Sequence, residues 1–304
     1  VASVSVVVAT HNQAHWLGEA IGSVRAQTFG DWELLVADDG STDDTPAVVA
    51  SFADGRVRHL PAARAERAAA RNRGVAAAAG ELVAFLDADD AWHPEKLARQ
   101  VAALAAAPEA AACYAASRFV DEGGRPLPVR KPLRAHAGRL FPRLVRGNFI
   151  ILASMVVRRR ALDAVGGFDA TLPVYGCEDW DLWLRLARRD PFVAVDAELV
   201  RYRVHGGNTR PEQVAASGLA VLDRLYADPA VAREAGIGRA AARARHLWYH
   251  ASILAARGRG AALPLVGQAL REHLPTVISR PAAGALASVC LPRAVERALR
   301  ALPI

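Results

Sequence analysis

The chain has 304 residues, 52% hydrophobic and 23% charged, with 23 glycines and 17 prolines. This is ordinary globular composition; it excludes a disordered, collagenous or coiled-coil chain and leaves one large domain or two small ones. The formal net charge, 38 − 31 = +7, points at first toward nucleic acid or a membrane surface.

The distribution of that charge is more informative. Residues 1–211 carry 26 basic and 25 acidic side chains, a balance of +1, whereas residues 212–304 carry 12 and 6, a balance of +6. From Gly123 to Leu162 there are ten Arg or Lys and no Asp or Glu, so the acids of the first part are concentrated elsewhere. Cys113, Cys177 and Cys290 are far apart and form no CxxC, which argues against a disulfide scaffold or a structural zinc site and fits a reducing cytoplasm. No basic, apolar, small-residue leader opens the sequence, so a secretory signal is not expected. The apolar run Phe149–Val157 is too short to span a bilayer.

In chain order, SVSVVVAT (3–10) reads as a buried strand that stops at Thr10-His11-Asn12. Leu17, Ala20, Ile21 and Val24 follow with helical spacing. A second strand, Trp32–Ala37, ends in Asp38-Asp39-Gly40-Ser41, and a helix lies around Pro46–Phe52. Val57–Leu60 is a third strand, residues 65–79 an Ala- and Arg-rich helix, and Leu82–Leu86 a fourth strand ending at Asp87-Ala88-Asp89-Asp90. Pro94 suits the first turn of the next helix. Strands alternating with helices imply a mainly parallel sheet covered on both faces, an α/β class in which ligands bind beyond the carboxyl ends of the strands. The three polar clusters all fall at such ends.

Beyond Arg130 the pattern loosens, with a helix near Leu140–Val145 and a Gly-Gly-Phe-Asp loop (166–169) before a helix from about Glu178 to Arg188. Leu199–Val204 reads as a strand leading into His205-Gly206-Gly207-Asn208. From residue 212 the chain reads as all helical, cut into short pieces by Pro264, Pro275, Pro281 and Pro292.

Three carboxylates within the four residues 87–90 repel one another, and a divalent cation with a taste for hard oxygen ligands, Mg²⁺ or Mn²⁺, relieves this; a solvated turn capping the next helix is the alternative. Glu178-Asp179-Trp180-Asp181 opens a helix, where acids are favoured by the dipole alone. Asp179, however, shares the i, i+3, i+4, i+7 face of Leu182, Trp183 and Leu186, which makes it a candidate general base. Asp39 fits either a turn or an acceptor for a ligand N–H. Gly74, in Arg71-Asn72-Arg73-Gly74, is unfavourable inside a helix by about 1 kcal/mol, which either ligand approach or helix packing would explain. His205 alone is most simply structural and gains weight beside the acidic clusters.

Taken in order, VSVVVATHNQAHWLGEAIGSVRAQTFGDWELLVADDGSTDDT, ARNRGVAAAAGELVAFLDADD, GGFD, GCEDWDLWLRLA and YRVHGGN resemble the family 2 glycosyltransferases, inverting nucleotide-sugar enzymes of the GT-A fold. The resemblance runs from about Ser3 to Asn208. It implies a catalytic domain over 1–211, with a nucleotide-sugar half to about 110 and an acceptor-side half from about 111, followed by a helical region, 212–304, that matches no motif. It implies that Thr10 and Asp39 hold the nucleotide base, with Arg71 near the base or diphosphate. Asp87 faces the ribose, Asp89 and His205 meet the Mn²⁺ or Mg²⁺, and Asp179 is the base, supported by Glu178, Asn72 and Trp180. The donor would be a nucleoside-diphosphate sugar and the acceptor a hydroxyl on a glycan, lipid-linked, peptide or small-molecule partner. The acid-free stretch Gly123–Leu162 falls where acceptor loops are expected in this family, which suggests an acceptor bearing phosphate or carboxylate. The Q/R-x-x-R-W motif of processive synthases is missing, which favours single addition.

Two other classes stand beside this one. A sugar-phosphate nucleotidyltransferase would want a Gly-rich, basic phosphate loop after the first strand, and THNQAHW is not one. A basic binding protein without catalysis would rest on the charge surplus. Strand-end carboxylates would repel nucleic acid, so no nucleic-acid partner is expected. Peripheral contact of 212–304 with an anionic membrane face survives as an accessory property, against a simpler reading as a solvated Arg-rich surface.

Overall fold

The structure is a computed structural model that describes residues 2–128, 136–172, 176–207, 210–257, 259–278 and 282. It divides into two compact units. One comprises Val1–Leu140, Phe149–Thr171 and Glu178–Asn208; the other comprises Phe141–Asn148, Leu172–Cys177 and Thr209–Ile304.

The first unit opens with β1 (Val4–Thr10), α1 (Ala14–Arg25), β2 (Trp32–Asp39), α2 (Thr45–Ala50), β3 (Val57–Ala62), α3 (Arg67–Ala77) and β4 (Leu82–Asp87). A two-residue strand, β5 (Ala91–Trp92), then leads to α4 (Lys96–Ala106) and β6 (Ala112–Val120). After α5 (Phe141–Leu144), which belongs to the other unit, come β7 (Val156–Arg158), α6 (Arg159–Val165), α7 (Glu178–Arg189) and β8 (Phe192–Arg203). The eight strands form one sheet in the order β3-β2-β1-β4-β7-β6-β8-β5. β3, β2, β1 and β4 are parallel, β6 and β8 are parallel, and β7 runs antiparallel between β4 and β6.

The mainly parallel α/β reading holds, and its physical basis is visible in β1. Every residue of VSVVVAT except Ala9 is buried, as expected of a central strand covered on both faces. Register then sets the site: Thr10 lies opposite Asp38, and Ala9 opposite Asp87, so all three polar clusters emerge at one edge. β6 escaped the sequence reading because ACYAASRFV is rich in small residues of low strand propensity. β8 begins seven residues before the expected Leu199, since Asp196 and Glu198 break the apolar pattern although Val193–Val195 and Glu198 still pair with β6 across a register shift.

The core of this unit joins Val6, Val8, Leu34, Val36, Ala84 and Leu86 of the sheet to Leu17, Ile21 and Val24 of α1. On the other face, Gly74 of α3 lies against β1: a Cβ there would stand 2.3 Å from Val7 Cγ1. Helix packing therefore explains this glycine.

Lys96, at the start of α4, is fully buried, and its ammonium has no hydrogen-bond partner; it rests 3.9 Å from the centre of the Trp92 ring. Burial pushes its pKa down to about 7.

In the second unit, α8 (Pro211–Leu225), α9 (Val231–Ala235), α10 (Arg239–Arg257) and α11 (Arg259–Glu272) bear out the helical reading of the tail among the described residues. Leu247, Trp248, Ala251 and Leu254 of α10 pack with Ala262, Val266 and Ala269 of α11. Pro264 sits inside α11 and does not end it, contrary to expectation. One ladder hydrogen bond is lost there, and the apolar face packed on α10 outweighs it. Pro281 and Pro292 lie outside the described residues. Part of the basic surplus is paired internally: Asp223 accepts from Arg239 and Arg243, and Glu272 from Arg243. No helix among the described residues is long and apolar enough to cross a membrane.

Two outcomes follow from these contacts. Gly74→Ala, which helix propensity alone would favour by about 1 kcal/mol, is expected to lower stability by about 1–3 kcal/mol through overpacking against Val7, read from urea unfolding. Because the unfolded chain protonates Lys96 near 10.5 and the folded chain only near 7, this residue makes stability rise with pH between those values. Lys96→Met is expected to raise Tm at pH 7 and to flatten that rise.

Candidate active site

Arg71 is the hinge of the site. It projects from α3, is almost fully buried, and donates from Nη2 to Asp87 Oδ1 (2.8 Å) at the end of β4 and from Nη1 to Glu178 Oε1 (2.6 Å) at the start of α7. Its guanidinium also lies 5.5 Å from the centre of the Phe168 ring. Burial disfavours its charge, but Asp87 and Glu178 more than compensate and raise its pKa. Burial likewise disfavours the charge of Glu178, which would raise its pKa, and Arg71 prevails there too, holding that carboxyl below its usual value. In this way one cation joins the metal-type turn to the acidic helix.

Asp179 stands beside that bridge. Its Oδ1 accepts the Trp180 N–H at 2.7 Å. It keeps some access to solvent, yet surrounding protein pushes its pKa up to about 7, with the charge of Glu178 adding to the effect and Arg71 opposing it. A carboxylate poised near neutrality is suited to taking a proton. Trp180 is buried in the core and does not line an open surface.

Asp87, Asp89 and Asp90 each offer a carboxylate oxygen within 4.8 Å of the others. Burial pushes Asp87 up against the pull of Arg71, with Asp89 adding to the rise; burial and then the charges of Asp89 and Asp87 push Asp90 well above the usual carboxylate range. Asp90 is buried, and its Oδ2 has no hydrogen-bond partner. Crowded carboxylates with an orphaned buried oxygen fit a hard divalent cation, so the residues present suit Mn²⁺ or Mg²⁺.

His205 Nε2 lies 2.8 Å from Asp89 Oδ2, and its Nδ1 accepts the Gly207 N–H at 3.1 Å. The second contact fixes the tautomer: Nε2 carries the proton and donates to Asp89. His205 is thus beside the carboxylate cluster but is not one of its three ligand atoms. Asn208, which follows it in the motif, lies outside the described residues.

The remaining expected residues are distributed as follows. Thr10 is buried at the end of β1, and its buried hydroxyl has no partner, at the strand end where the resemblance puts the base. The Asp39 carboxylate accepts the N–H groups of Ala65 and Glu66, both at 2.9 Å, and Arg73 Nη2 at 3.2 Å, so it organises the loop before α3. Asn72 clamps the Gly-Gly-Phe-Asp loop, donating to Phe168 O (2.8 Å) and accepting its N–H (2.9 Å). Gly167 allows this, having φ +70° and room for no Cβ beside Asn72 Oδ1, 2.8 Å away. From the acid-free stretch, Arg158 donates to Leu104 and Ala110 carbonyls, Arg159 to Gly80 and Ala78, and Arg160 to Pro108. These three arginines are committed to backbone, while residues 129–135 lie outside the described part.

Sequence reasoning missed Arg203, Trp16 and the separate environment of Asp90. The signal for Arg203 was its place two residues before His205, at the end of a strand.

The family model for glycosyl transferase family 2 matches residues 5–166, more than half of the chain, and the chain belongs to that family. An uncharacterised glycosyltransferase of Nostoc sp. is 45% identical over 101 residues, covering 32% of this chain and 31% of the relative. The Escherichia coli UDP-Glc:alpha-D-GlcNAc-diphosphoundecaprenol beta-1,3-glucosyltransferase WfgD is 41% identical over 102 residues, covering 33% and 40%. The chain thus spans well under half the length of these curated relatives. Among solved structures, Staphylococcus aureus TarS residues 1–349 superposes with a TM-score of 0.66 at 18% identity, covering 98% of this chain and 91% of that one. The Pyrobaculum calidifontis mannosyltransferase PcManGT, in complex with GDP-Man and Mn²⁺, superposes at 0.60 with 20% identity, covering 99% and 88%.

Removing the bridging cation leaves two partly buried carboxylates without compensation. Arg71→Met is expected to cost about 3–5 kcal/mol of stability, measured by denaturant unfolding at pH 7.

Proposed function

We propose that this protein transfers a sugar from a nucleoside-diphosphate sugar to an acceptor hydroxyl in one displacement, with Asp179 as the general base. The observation that carries this reading is the Glu178–Arg71–Asp87 bridge, which brings a carboxylate titrating near 7 beside the strand-end acidic turn.

Asp179 receives the proton of the acceptor hydroxyl at its carboxylate as the oxygen attacks the anomeric carbon, and the donor's glycosyl–phosphate bond breaks on the opposite face. A single displacement inverts that carbon and leaves no covalent enzyme intermediate. Asp87, Asp89 and Asp90 would hold a divalent cation, Mn²⁺ or Mg²⁺, which supplies charge neutralisation for the departing diphosphate. Thr10 and the loop that Asp39 organises form the rim for the nucleotide base. His205 holds Asp89 in orientation by its Nε2 proton. The Mn²⁺ and GDP-Man of PcManGT, and the diphosphoundecaprenol-linked acceptor named for WfgD, support a nucleotide-sugar donor and leave a lipid-linked hydroxyl among the acceptors to try.

A panel of nucleotide sugars with Mn²⁺, read by donor hydrolysis and thermal shift, identifies the donor; pyrophosphate release from a nucleoside triphosphate and a sugar phosphate would replace this reading with nucleotidyl transfer. With the donor in hand, kcat/KM is expected to fall about tenfold per pH unit below pH 7 as Asp179 protonates. Glu178→Gln removes the neighbouring negative charge and is expected to move that limb to lower pH, while Asp179→Asn loses about 10²–10⁴-fold in kcat. Full transfer by Asp179→Asn would exclude it as the base.

A further inference from the structure

We infer that Arg203 is the positioning residue of the cation site: it holds the Asp89–Asp90 turn and His205 in the geometry that receives a divalent metal, without touching the donor. The inference rests on the metal-holding part of the proposed function and gives a role to a residue of the YRVHGGN segment that the acidic clusters do not bring out.

Arg203 ends β8 with its side chain almost fully buried. Its Nε donates to the Asp89 carbonyl at 2.9 Å, and its Nη1 to the Glu122 carbonyl at 2.7 Å and the Asp121 carbonyl at 3.4 Å. Its Nη2 pairs with the Glu19 carboxylate on α1. The flat face of the guanidinium lies 4.3 Å from the centre of the Trp16 ring. The backbone N–H of the same residue donates to Asp90 Oδ1 at 2.9 Å. One residue therefore fixes the main chain of Asp89 and the side chain of Asp90, leaving Oδ2 as the unpartnered oxygen of that carboxylate.

The chemistry of these contacts separates Arg203 from Arg71. Arg71 neutralises a carboxylate of the acidic turn directly. Arg203 spends its hydrogen bonds on carbonyls and on a distant glutamate, so it grips the turn while leaving the charges of Asp89 and Asp90 available to a cation. With those donors engaged and one face against Trp16, it offers nothing to a phosphate. His205 lies two residues on, just past the end of β8, and shares Trp16 as a neighbour with Arg203. It reaches Asp89 Oδ2 while its ring lies 5.9 Å from that of Trp16. A lysine could not reproduce this arrangement, because a compact ammonium lacks the planar fork that spans Asp89, Glu122 and Glu19.

The test is Mn²⁺ binding to the full chain without any sugar nucleotide, followed by the electron paramagnetic resonance signal of free Mn²⁺. Arg203→Lys and Arg203→Met are expected to weaken Mn²⁺ by about 10–100-fold, as loss of an outer partner of a metal ligand does. Circular dichroism and Tm report whether each variant is folded. In Arg203→Lys, raising Mn²⁺ is expected to restore kcat, so the defect appears in the metal requirement, a split that a general loss of stability would not produce. Should both variants fail to fold, Glu19→Gln, which loosens the same guanidinium from its partly exposed side, is expected to weaken Mn²⁺ by at least about threefold. Mn²⁺ binding indistinguishable from the native chain in a folded Arg203 variant, or in folded Glu19→Gln where neither Arg203 variant folds, overturns the inference and leaves the proposed function standing. A native chain that binds no Mn²⁺, as Asp89→Asn is expected not to, overturns the metal-holding reading and this inference together.

Discussion

A buried guanidinium between two carboxylates, Arg71 between Asp87 and Glu178, is the interaction on which the site depends. The three groups come from α3, β4 and α7, separated by 16 and 107 residues in sequence. None would be tolerable alone at that depth, since an unpaired buried charge costs several kcal/mol. Together they fix the acidic helix against the sheet edge and set the electrostatic environment of Asp179, which feels the negative charge of Glu178 and the positive charge of Arg71 at once. Asp179 and the acidic turn are coupled because both feel the charge of Arg71.

The acidic turn shows the complementary strategy. Where Arg71 hydrogen-bonds a carboxylate of the turn, the Arg203 side chain reaches only the carbonyl of Asp89, and its backbone N–H reaches Asp90. Arg203 and His205 orient the turn through carbonyls, a backbone N–H and a neutral imidazole, and the carboxylates remain crowded and costly. Such a cluster is stable only because the scaffold behind it over-determines its geometry.

Much of this was legible in the sequence. The β-branched runs, each closed by a polar cluster, placed Thr10, Asp39 and Asp87 on one edge, because parallel strands put their carboxyl ends together. Helical spacing put Asp179 in the first turn of α7, where the structure has it. Other parts were not. β6 was hidden by alanines, Pro264 proved compatible with a packed helix, and the arginines of 158–160 turned out to be bound to carbonyls. In each case a long-range contact decided the outcome, and local propensity carries no information about such contacts.

The opening charge of +7 divides in the same way. By itself the sequence determined the family, the alternation of strands and helices, and the residue types gathered at the strand ends, since periodicity and motif order are local properties. Only the tertiary structure decided which of those residues share a counterion, which carboxylate is left with an orphaned oxygen, and that Gly74 answers to Val7 and Asn72 to Phe168. The reason is physical: pairing and burial depend on which groups the fold brings within a few ångströms, and at those distances electrostatics and packing are set by neighbours far away in the chain.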